Sequence, residues 1–147
     1  MLHLTVAQKW TVAFLLLITI IAYLAILRTR EPLLTYTRSG GIAGFRDTLI
    51  VYQDGEVVLS SKTQTINGRI SEEDLKTLKA ILEELRPMGG MELKPKENVA
   101  DFFSYSIESG GLRISWVDPW ASQQEVPPQL NTLNSLFLGI IGKLPRG

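Results

Sequence analysis

Between Lys9 and Arg28, residues 11–27 carry no charge, no glycine and no proline. At about 1.5 Å per residue such a run makes a helix roughly 26 Å long, the low end of what crosses a bilayer core. Trp10 stands at its entrance, where an indole lies at headgroup depth. A cleaved signal peptide has a shorter apolar core and small residues at its cut site, whereas Leu27-Arg28-Thr29-Arg30 stands here. A helix packed on the core of a small domain shows an amphipathic stripe, and this run is apolar all round. The reading is a single-pass membrane anchor at residues 11–27, behind an N-terminal tail (1–10). A short linker (28–32) leads from it into one folded domain (33–144). The side on which the domain lies stays open. Arg28, Arg30, Arg38 and Arg46 outnumber Lys9 and favour a cytoplasmic domain, while N-terminal anchors of this shape commonly export the domain behind them.

Composition narrows what the domain can do. The chain has 147 residues and a formal net charge of zero, and outside the membrane-proximal arginines no basic cluster is present. Nucleic acid as a partner therefore has no electrostatic support. Without cysteine there is no disulfide framework, no thiolate zinc site and no thiol nucleophile. The single histidine, His3, precedes the anchor. The domain thus lacks the imidazole that Ser-His-Asp and Cys-His catalysis need, and a carboxylate-only zinc site would be unusual. No catalytic residue, metal site or cofactor is expected.

The pattern along the domain is α+β. Leu33–Ser39 alternates as a strand, with Leu34, Tyr36 and Arg38 on one face, and the glycines at 40, 41 and 44 break it. Asp54-Gly55 between the apolar runs Thr48–Gln53 and Glu56–Ser60 predicts a hairpin. The polar stretch 61–69 reads as connection, with a turn at Asn67-Gly68. Ser71 with Asp74 resembles a capping box opening a helix, in which Leu75, Leu78, Ile81, Leu82 and Leu85 form one stripe. Glu72, Glu73, Glu83 and Glu84 read as its solvated face, and Pro87 with Gly89-Gly90 ends it. After a polar connection at 91–100, Phe102–Ile107 and Leu112–Val117 predict a second hairpin. Pro128 introduces a last helix with Leu130, Leu133, Phe137, Ile140 and Ile141 inward. The expected fold is an antiparallel sheet from two hairpin units, covered by two helices on one face.

Several of these stretches bring a family into view. Arg38-Ser-Gly-Gly-Ile-Ala-Gly44, the Leu-rich helix, Ala100-Asp-Phe-Phe-Ser-Tyr105 and the Pro-introduced last helix resemble the emfourin family. Emfourins are protein inhibitors of protealysin, a thermolysin-like zinc metallopeptidase. The resemblance spans about residues 33–144 and leaves the anchor outside. It implies a non-enzymatic domain that binds and restrains a metallopeptidase. Loops carry recognition on a rigid scaffold, so the candidate partner-binding residues are Gly40, Gly41, Ile42, Gly44, Phe45, Trp116, Asp118 and Trp120. Each has a structural alternative: the glycines position a strand crossover, Asp101 braces a turn, and a tryptophan packs against the sheet. The alternative function is an accessory subunit of a larger membrane complex. Thr11, Ala13, Thr19, Ala22 and Ala25 are small enough for close helix contact, although Gly-xxx-Gly is absent. Expected partners are therefore a protein, either a metallopeptidase or membrane-complex subunits, and lipid around 11–27.

Overall fold

Gly55 adopts φ +83 and its N–H donates to Tyr52 O, folding β2 (Phe45–Tyr52) back onto β3 (Glu56–Ser60) at the expected Asp-Gly turn. Our computed structural model describes residues 12, 14–20 and 31–145. The chain divides into two compact units, Met1–Arg30 and Glu31–Gly147. In the first, residues 12 and 14–20 are helical and exposed, and the Thr19 hydroxyl donates to Leu15 O at 2.6 Å. The rest of the expected span, residues 11, 13 and 21–27, lies outside the described residues. Among the described residues no helix is long and apolar enough to cross a membrane.

The second unit is an α+β domain. Its seven-stranded sheet has the order β4-β3-β2-β1-β6-β7-β5, with β1 at Pro32–Gly40, β4 at Thr65–Arg69, β5 at Met91–Glu92, β6 at Phe103–Ser109 and β7 at Leu112–Val117. The two hairpins are not separate units. β1 sits between β2 and β6 and pairs antiparallel with both, so Tyr36 faces Leu49 on one side and Ile107 on the other.

Helix α1 (Glu72–Leu85) begins as expected, with Ser71 Oγ accepting from Asp74 N–H at 3.0 Å. It buries Leu78, Ile81, Leu82 and Leu85 and leaves Glu72, Glu73, Glu83 and Glu84 in solvent. Helix α2 (Pro128–Lys143) buries Leu130, Leu133, Phe137 and Ile140. Both helices join one core with Leu34, Tyr36, Leu49, Val51, Val57, Ile107, Ile114 and Trp116. The opposite sheet face is mainly polar and half-buried, with Thr35, Thr37, Thr48, Ser104, Ser106 and Ser115 in adjacent strands beside Ile50, Val58 and Val117.

Two expectations are corrected. The stretch 61–69 is not simply connection: Thr65–Arg69 forms edge strand β4, and Asn67-Gly68 lies within it rather than in a turn. The Leu144 side chain packs over Gly68, where a Cβ would make it shift. The polar segment after α1 supplies β5, which pairs parallel with β7, so the sheet is mixed rather than antiparallel. A two-residue strand held by backbone pairing leaves no hydropathy period to read.

Candidate functional site

The candidate loop positions gather at one end of the sheet, where β1 ends, β2 and β6 begin and β7 ends. Gly40 takes φ +108, and a Cβ there would stand 2.5 Å from Phe102 O, so only glycine admits this approach. Gly41 N–H donates to that same carbonyl at 3.1 Å, and Gly44 N–H donates to Gly41 O at 2.8 Å. Ile42 and Ala43 form the apex between these two bonds. Ile42 is 89% exposed and Phe45, just past the loop, 45%.

The base of the loop is braced by Arg38. Its side chain lies on the core face of β1, where an unpaired cation would be costly. Asp47, directly across on β2, supplies the partner: Nη2 and Nε donate to Oδ2 at 2.6 and 3.2 Å. The guanidinium carbon also sits 5.2 Å from the Phe45 ring centre and 5.4 Å from that of Phe103. A cation over aromatic faces is attracted by the ring quadrupole, and desolvation strengthens the attraction. Phe45 and Phe103 are themselves in contact at 5.8 Å.

Asp118 fixes the neighbouring loop. Its carboxylate accepts from Phe103 N–H and from the Tyr105 hydroxyl, each at 2.8 Å, while its own N–H donates to Phe103 O. Trp120 projects from this loop at 57% exposure, with its carbonyl held by Lys96 Nζ at 2.9 Å. Trp116 is buried and stacked on Tyr105, so its side chain offers no contact surface. The partly buried Asp118 uses its carboxylate for bonds within the protein. Of the candidate positions, the large apolar side chains exposed at this end are thus Ile42, Phe45 and Trp120, and the glycines shape the loop beneath them.

Behind this end, Tyr36 donates to Asn134 Oδ1 at 2.6 Å and stacks on Phe137 at 4.3 Å. Burial pushes the Tyr36 phenol well above the ordinary tyrosine range, and the nearby Tyr105 adds to this. Burial does the same to Tyr105, helped by its bond to the Asp118 carboxylate. Beside the loop a groove of about 410 Å³ is lined by Phe45, Leu59, Ile66 and Ile141, together with Lys62.

The Arg38–Asp47 pair, the ring of Phe103 and this groove are not marked by any motif. One signal is present: Arg38 shares a strand face with Leu34 and Tyr36, so it requires a partner on an adjacent strand. Among the described residues no group of three or more His, Asp or Glu side chains could hold a metal ion. Nothing in this arrangement pairs a nucleophile with a base; it presents apolar side chains on a fixed backbone. No protein-family model matches the chain, and no curated protein matches it.

Proposed function

We propose that this is a membrane-tethered, non-enzymatic binding domain of the emfourin type that restrains a thermolysin-like metallopeptidase. One observation carries the reading. The stretches 38–44 and 100–105, which hold the resemblance and lie far apart in the sequence, join at the Gly41–Phe102 and Arg38–Phe103 contacts. Together they support an exposed apolar tip on a backbone fixed from several directions. An inhibitor that blocks a cleft needs this kind of surface, since a preordered loop loses little entropy on binding. The anchor reading draws on the exposed apolar side chains of Val12 and residues 14–20. Thr19 fits it as well, because a hydroxyl bonded to its own helix stays satisfied in hydrocarbon.

The test is hydrolysis of a peptide substrate by a thermolysin-like metallopeptidase titrated with the full chain in mild detergent. Inhibition saturating at one chain per enzyme is the expected result. Undiminished hydrolysis at large molar excess would remove this reading for the enzymes assayed. A defined assembly with integral membrane proteins, recovered on extraction, would instead favour the accessory-subunit role.

A further inference from the structure

We infer that Ile42 is the anchor side chain of the tip, and that it seats in an apolar pocket of the partner bordered by carboxylates. The inference rests on the binding-domain reading and adds which residue enters the partner and what chemistry receives it. Ile42 is the most exposed large apolar side chain in the described part of the domain, ahead of Trp120 and Phe45. Phe45 has an internal role, since its ring covers Arg38 and meets Phe103. Ile42 contributes almost nothing to the core.

Its backbone is nevertheless held. Gly40 lies against Phe102 O too closely for any side chain, Gly41 turns through φ +70 against the Phe103 ring, and the Gly44–Gly41 bond closes the loop. A β-branched side chain at such an apex has few rotamers to lose. Stiff backbone, stiff side chain and full exposure are the properties of an interface anchor, which gains from desolvation with little ordering.

Charge around the apex specifies the rim of the receiving pocket. Arg46 and Lys62 are exposed and have no ion pair or side-chain hydrogen bond among the described residues. Lys62 Nζ stands 3.2 Å from where a Gly44 Cβ would be. The nearby carboxylates Asp47 and Asp118 are engaged internally, which leaves the exposed Asp101 as the opposing charge. The balance favours an acidic rim. A protein pocket, rather than a lipid surface, is what the binding-domain reading calls for. The tip lies at the Gly40 end of β1, and the attachment point Glu31 adjoins the Pro32 end. At about 3.3 Å per residue the strand separates them by roughly 26 Å.

The experiment compares the wild-type chain with Ile42→Leu, Ile42→Ala, Ile42→Asp and Lys62→Glu, all full length in mild detergent, by inhibition constants against a thermolysin-like metallopeptidase. The thermal midpoint is recorded for each. Ile42→Asp is expected to weaken inhibition about 100-fold or more, and Ile42→Ala about 10-fold or more. Ile42→Leu should stay within about 5-fold, Lys62→Glu should weaken inhibition about 10-fold, and midpoints should be unchanged. Inhibition by the wild type that survives Ile42→Asp overturns the anchor while leaving the inhibitor reading intact. Absence of inhibition by the wild type overturns both. The chain lacks cysteine, so Ala43→Cys gives a single site for a nitroxide probe in vesicles. Oxygen-rich, lipid-like accessibility there would overturn the choice of a protein pocket, and aqueous accessibility supports it.

Discussion

The two ends of the sheet treat apolar side chains in opposite ways. At the end where β1 begins, the register shifts between Pro32 and Leu34, and both Leu33 and Leu34 are buried. The β6–β7 turn at Gly110-Gly111 is tight, Leu112 is buried, and the Ser109 hydroxyl reaches across to Leu33 O at 2.6 Å. At the other end Ile42, Phe45 and Trp120 stand in solvent. Loose packing does not explain the difference. The exposed end has its own clamps in the Gly41–Phe102 bond, the two-way Phe103–Asp118 pairing and the Arg38–Asp47 pair beneath two aromatic rings. Exposure and order are therefore separate properties here. Apolar side chains left out of a fixed backbone are the arrangement expected of a surface that recognises another protein.

Changes to the two ends sharpen the comparison. The largest contrast is between ion pairs. Arg38→Ala strands a buried Asp47 carboxylate and should lower unfolding stability by about 3 kcal/mol. Arg113→Ala, at the opposite end, removes an exposed pair with Glu108 and should change stability by under about 0.5 kcal/mol. Urea denaturation of the two variants measures both, and equal losses would undo the claim that the tip is specially braced.

Glycines give the next contrast. Gly40→Ala combines left-handed backbone with a collision against Phe102 O and should cost about 2–3 kcal/mol. Gly111→Ala, also left-handed but in open space, should cost about 1 kcal/mol. The gap between the two midpoints, rather than either value, reports the close approach at the tip.

The buried phenols make a pH prediction. Tyr36 and Tyr105 hold their protons above the ordinary tyrosine pKa of about 10. Below that pH both are neutral in folded and unfolded chains and leave stability unchanged. Above it the unfolded chain ionises first and binds fewer protons than the native state, so stability falls as pH rises. Phenolate absorbance should therefore appear in two stages, with the later stage coinciding with loss of near-ultraviolet ellipticity. Tyr105→Phe should shrink that stage. The smallest effect belongs to Ile42→Ala, which should leave the unfolding free energy within about 0.5 kcal/mol of wild type.

Local chemistry is the readable part of this fold. Asp54-Gly55, the Ser71 cap and the stripes of both helices come directly from spacing, because each is settled by residues within a few positions of one another. Pairing between distant strands is not readable. Nothing in Thr65–Arg69 or Met91–Glu92 marks them as sheet edges, since backbone bonds to a neighbouring strand decide their state. For the same reason the glycine loop can be identified as a loop but not as one seated on Phe102 and Phe103. Trp116 and Trp120 show the limit most clearly. They flank the same Asp118-Pro119 and look alike in sequence, yet strand direction buries one and the loop exposes the other.

The most direct measurement is native-state hydrogen exchange of the free chain, read at the amides of Gly41, Phe103 and Asp118. These donate to Phe102 O, the Asp118 carboxylate and Phe103 O respectively. A preordered tip predicts slow exchange at all three, with opening free energies close to those of the β1–β6 ladder. Exchange at rates of an unstructured chain would mean the exposed end is mobile, and the contrast between the two ends would then reflect only looser packing.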